Sequence, residues 1–127
     1  MNKNTILAVV MMFLLVGCKK NDAAISLKGK WIVQNSITKY YQNGGLVNTV
    51  TENFTGLTWE FNSDGNLIRR GGLSADSKPY TITSDSKVDI GGEIFGIRDL
   101  TSSAVTLVNK EGNTPGTYTE VSLNLKR

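Results

Sequence analysis

The chain has 127 residues, with 14 Lys and Arg against 11 Asp and Glu, and the excess of positive charge sits near its start: from Lys28 onward eleven basic residues face ten acidic ones. A body of roughly 110 residues amounts to one domain, and a nearly neutral one lacks the clustered cations that a nucleic-acid partner requires. With no histidine and one cysteine, the chain cannot build a Ser-His triad, a histidine acid/base centre, an internal disulfide or a typical zinc site, and no cofactor is expected.

The first seventeen residues have the layout of a secretory signal: Lys3 gives a positive start, Ile6 to Val16 is an eleven-residue apolar run, and small residues precede Cys18. The run is too short to span a bilayer, which takes ~20 apolar residues. Leu15-Val16-Gly17-Cys18 resembles the lipobox of bacterial lipoproteins. That resemblance implies cleavage before Cys18, acylation of its sulfur and new amino group with palmitate-type chains, and a membrane partner reached through this residue. Several chains at ~0.8 kcal/mol per buried methylene make a firm anchor. Residues 18–26 are polar or small and read as a tether. Lys19 stands where an inner-membrane retention aspartate would be, so the expected address is the outer membrane of the cell envelope, facing the periplasm.

Residues 27–127 read as one all-β domain. Thirteen glycines cluster between short segments rich in Val, Ile, Thr and aromatics. In chain order the predicted strands are Lys30 to Tyr40, Leu46 to Phe54, Leu57 to Asn62, Asn66 to Arg70, Tyr80 to Thr83, Lys87 to Ile90, Ile94 to Arg98, Ala104 to Asn109 and Thr117 to Leu125. Asn43-Gly44-Gly45, Asn62 to Gly65, Gly71-Gly72, Asp85-Ser86, Gly91-Gly92 and Glu111-Gly112-Asn113 supply the turns between them. Alternation sets the faces: Leu57, Trp59 and Phe61 oppose Thr58, Glu60 and Asn62, while Val121, Leu123 and Leu125 oppose Ser122 and Asn124. Half-buried antiparallel strands of this kind close into a barrel or stack as a sandwich, and periodicity fits both.

Gly29-Lys30-Trp31 at the start of the first strand resembles the Gly-x-Trp signature of lipocalins. The segments Trp59-Glu60-Phe61-Asn62-Ser63-Asp64-Gly65, Pro79-Tyr80-Thr81-Ile82, Ile94 to Leu100 and Val105-Thr106-Leu107 look like the lipocalin-like domain of small Bacteroidota lipoproteins. The resemblance runs from Leu27 to Arg127 and implies a small up-and-down antiparallel barrel (calycin type) of about eight strands. It also implies that Trp31 plugs the closed end, that Gly29 gives it room, and that Arg127 or Lys126 lies across it as a cation–π partner.

Other chemistry is weakly supported. Ser36 to Lys39 and Ser84 to Lys87 match the Ser-x-x-Lys pattern, but that spacing shares a face on a helix and not on a strand. Glu60 with Asp64, and Glu93 with Asp99, are carboxylate pairs beside turns in a chain too small for a long substrate cleft. A catalytic role is therefore not expected. Arg69-Arg70 is the one paired basic site of the body; on a strand one of the two faces inward, where it needs an open mouth or a carboxylate. The leading expectation is a lipid-anchored module that binds a small apolar or amphipathic ligand against Trp59, Phe61, Tyr80, Phe95 and Ile97, with Arg69 and Arg70 as the polar contacts. The alternative is a non-catalytic envelope-accessory protein with a packed barrel, meeting a protein partner through the hairpin from Tyr40-Tyr41 to Val47.

Overall fold

The computed structural model describes residues 27–72 and 75–127; the signal segment 1–17, the lipidation residue Cys18 and the tether 18–26 lie outside the described residues. The described residues form nine strands: β1 (Gly29–Gln42), β2 (Gly45–Asn53), β3 (Thr58–Phe61), β4 (Asn66–Arg70), β5 (Asp76–Ser84), β6 (Lys87–Ile90), β7 (Glu93–Arg98), β8 (Ala104–Thr114) and β9 (Thr117–Lys126). All neighbours are antiparallel. From β3 to β9 each strand pairs with the next, β1 joins β3 on one side and β9 on the other, and the ring closes with eight strands. Closure, which periodicity alone left open, removes most of the sheet's edges.

The ninth strand is extra. With fourteen residues, β1 runs about 46 Å at ~3.3 Å per residue. Its first turn-side half, Gly29 to Ile32, pairs with β3, and its second half, Asn35 to Gln42, pairs with β2 on the same edge. Among the described residues β2 therefore has β1 as its one strand neighbour, and the upper halves of β8, β9 and β1 project with it as a four-stranded flange above the barrel. Two hairpin tips meet at its end, where Gly44 N donates to Gly116 O at 2.9 Å and Tyr41 stacks on Tyr118 with ring centroids 4.6 Å apart.

Inside the ring, alternate residues of every strand meet in one cluster: Trp31, Val33, Trp59, Phe61, Leu67, Tyr80, Val88, Ile90, Phe95, Ile97, Val105, Leu107 and Leu125, with Leu27 beneath them. Burial of these side chains, at ~1.5–3 kcal/mol for each large one, is the main force holding the ring closed.

Two strand limits differ from the sequence reading by more than two residues. β8 runs through Glu111-Gly112-Asn113, the segment expected to turn, and the turn falls at Pro115-Gly116. The register slips between Glu111 and Thr114, so Gly112 is a bulge glycine: its φ is +146°, and a Cβ there would stand 2.8 Å from Thr117 O. β5 begins at Asp76, ahead of the expected Tyr80, and carries Pro79 within it. The proline is tolerated because β5 changes partner there: Asp76 to Pro79 pairs with β4, and Tyr80 onward pairs with β6.

Candidate functional site

The closed end is built around Trp31, which is fully buried. Its indole nitrogen donates to Leu27 O at 2.9 Å, one turn back in the chain. Arg127 lies over the ring, its guanidinium carbon 4.1 Å from the ring centroid and its Nη2 donating to Lys28 O at 2.6 Å. Gly29 lies beside the guanidinium, where a Cβ would make ordinary contact 3.7 Å from Nη2; it is the backbone at φ +114° that calls for glycine. The two ends of the domain are thereby clamped together, and backbone Arg127 N to Ser103 O at 3.0 Å extends the seal.

The other end is the mouth. A groove of about 300 Å³ lies between Gly71, just after β4, and the root of the flange, walled by Val33, Phe54, Leu57, Trp59 and Leu123. Phe54 and Leu57 occupy the break between β2 and β3, where the chain leaves the flange and enters the ring. Arg69 and Asp76 form the rim. Register places them opposite each other on β4 and β5; Arg69 Nε donates to Asp76 Oδ1 at 2.7 Å and Nη2 donates to Oδ2. The same guanidinium sits 5.7 Å from the Trp59 ring centroid. Its hydrogen bonds with Asp76 hold the Arg69 proton more firmly than usual and lower the carboxyl of Asp76 below its ordinary value. Because the carboxylate engages Nε and Nη2, the Nη1 end of the guanidinium is directed away from that pair.

The sequence-derived ligand set divides accordingly. Trp59 and Arg69 come together at the mouth. Phe61, Tyr80, Phe95 and Ile97 do not line this groove and stand in the buried cluster, to which Trp59, 7% exposed, also belongs. Phe61 and Tyr80 meet edge to face at 5.0 Å, and the Tyr80 hydroxyl donates to Asn62 O at 2.5 Å. Arg70 faces outward, 4.0 Å from Glu60, because adjacent strand residues point to opposite faces. Asp76, Gly71, Val33, Phe54, Leu57 and Leu123 complete the groove and were not among the ligand candidates, although alternation had already put Leu57 and Leu123 on apolar faces. Asp76 follows Arg69 by seven residues across a loop, and only the β4–β5 register shows that they meet.

On the flange, Tyr40 is 41% exposed while Tyr41 is taken up by Tyr118, and Leu46, Val47 and Val50 of β2 are open to solvent. Compared with known protein families and with curated proteins, the chain gives no match. Its fold is a small lipocalin-like β-barrel, eight antiparallel strands closed on themselves plus one added edge strand. Among the described residues no cluster of His, Cys, Asp and Glu could hold a metal ion.

Proposed function

We propose that the protein is a non-catalytic, lipid-anchored component of the cell envelope that holds a small amphipathic molecule at the mouth of its barrel. The observation that carries this reading is the groove itself: an apolar wall of Val33, Phe54, Leu57, Trp59 and Leu123 with one fixed guanidinium at its rim. Its volume of about 300 Å³ sits at the small end of ligand pockets, which run ~300–1,000 Å³. The ligand's apolar part would lie on Trp59, and an acceptor or anionic head would meet Arg69, already oriented by Asp76 so that little is lost in ordering it. Binding at the rim, rather than deep along the axis, is supported by Phe61, Tyr80, Phe95 and Ile97 standing in the buried cluster and not among the groove's lining. The anchor rests on the lipobox-like run ending at Cys18 and favours the periplasmic face of the outer membrane.

Anilinonaphthalene sulfonate, with fused rings and one anionic group, is a suitable probe. It should bind the native protein and quench the Trp59 contribution to tryptophan emission, and Arg69→Gln should weaken it about tenfold or more, the loss of one charge-assisted hydrogen bond. Equal affinity in the two forms would remove the rim from the site. For the anchor, Cys18→Ser should move the protein from the membrane fraction to the soluble envelope fraction; unchanged retention would exclude attachment through this residue.

The packed interior and the projecting hairpin support the second reading, an accessory protein that meets a partner through the flange. The exposed Leu46, Val47 and Tyr40 are the feature in its favour.

A further inference from the structure

The edge of β2 is the part of the molecule that the ring does not close. Every residue from Gly45 to Asn53 is exposed, and β1 is the strand's one hydrogen-bonded neighbour among the described residues. Natural edges are usually short, or carry Lys, Pro or a covering element. This one is nine residues long and its one charge is Glu52.

Its hydrogen-bonding phase can be fixed. Phe54 N donates to Gln34 O at 2.9 Å, and antiparallel pairs alternate between bonded and non-bonded, so Val50 and Glu52 turn their peptide groups toward β1. The peptide groups of Thr49, Thr51 and Asn53 therefore face the open side. Thr49 N is met there by its own neighbour's side chain, Asn48 Oδ1, at 2.9 Å, as expected of an outward donor with no strand beside it.

We propose that the occupant of this edge is a second copy of the chain, paired antiparallel through β2 about a two-fold axis at Val50. The sequence of β2 is self-complementary in that register. Thr49 and Thr51 exchange backbone hydrogen bonds with Thr51 and Thr49 of the second copy, which makes four bonds across the axis. On one face the same residues form two Thr–Thr pairs; on the other, Val50 meets Val50, and Asn48 and Glu52 meet Glu52 and Asn48 as amide–carboxylate pairs. A shift of one or two residues in either direction sets Glu52 opposite an apolar or threonine side chain and loses both amide–carboxylate pairs. The resulting interface is isologous, so it closes at two copies. It joins the flanges into one continuous sheet running β8-β9-β1-β2 and back through the second copy.

The test is sedimentation equilibrium of the full chain, purified from its own host in density-matched detergent, across roughly 1–100 μM protein. A monomer–dimer equilibrium is expected. Thr51→Pro removes an outward-facing N–H that β1 does not use, and Val50→Lys sets two like charges opposite each other; each should raise the dimer dissociation constant at least tenfold with an unchanged circular dichroism spectrum. Val50→Cys should give an oxidised dimer absent from the parent, whose one cysteine is Cys18, because non-bonded pairs bring Cα atoms to ~4.5 Å. A monomer at every concentration, a dimer indifferent to both Thr51→Pro and Val50→Lys, or a different protein found bound along β2 would each overturn the proposal.

Discussion

Replacing Arg127 by alanine should loosen the closed end of the barrel far more than an exposed residue at that position ordinarily would. The side chain makes a cation–π contact with Trp31 at 4.1 Å and a 2.6 Å hydrogen bond to Lys28 O. The first contributes about 0.5–1 kcal/mol for an exposed cation. The second, from a charged donor, contributes about 1.5–3 kcal/mol when shielded. Arg127 is exposed, and water can replace it at the Lys28 carbonyl, so the hydrogen bond counts at the low end and the total comes to about 2 kcal/mol. For a domain of this size that lowers Tm by on the order of 10 °C. Urea unfolding followed by tryptophan emission reads it directly, since Trp31 lies beneath the lost group; the midpoint should fall while the slope stays constant. Arg127→Lys keeps a cation but not the planar fork, and should recover about half of the difference. High salt should narrow the gap between parent and Arg127→Ala as the charge is screened. An alanine form within about 0.5 kcal/mol of the parent would refute the clamp as a stabilising contact.

Two further outcomes follow from titratable groups. Tyr80→Phe should cost about 1 kcal/mol by losing the bond to Asn62 O. In the parent the phenol titrates above its ordinary range because burial, then the charge of Asp64, oppose ionisation; stability from the neutral phenol is complete below that ordinary range and is lost as pH rises through the raised value, so the alkaline unfolding limb should shrink in Tyr80→Phe. At the mouth, the hydrogen bond from Arg69 holds the Asp76 carboxyl below its ordinary value of 3.8. Its contribution is present above that value and disappears as pH falls through the lowered one. Carboxyl-carbon NMR should give Asp76 a midpoint below 3.8 in the parent and an ordinary one in Arg69→Gln; an ordinary midpoint in both would mean that the pair is not formed in solution.

Local signals were enough wherever one strand's own residues decide. β4 and β6 match their predicted limits because alternating Leu67 and Arg69, or Val88 and Ile90, lie between unambiguous turns. The reading failed at Glu111-Gly112-Asn113, where a turn-rich triplet sits inside a long strand. A glycine in a bulge and a glycine in a turn have the same composition, and the choice between them depends on Thr117 and Tyr118 across the hairpin. The site shows the same limit. Trp59 and Arg69 could be named from hydrophobicity and charge, but the division of Phe61, Tyr80, Phe95 and Ile97 into packing rather than lining depends on how far the ring closes around them.

By itself the sequence determined the number and phase of the strands, since an alternating apolar face is a property of consecutive residues and survives in any arrangement that buries it. Tertiary structure decided which edges meet. β1 outlasts its neighbours, the ring shuts through β1 and β9, Asp76 comes to face Arg69, and among the described residues β2 pairs on one side. Those outcomes are set by register between residues far apart in the chain, where a slip of one position exchanges inside for outside.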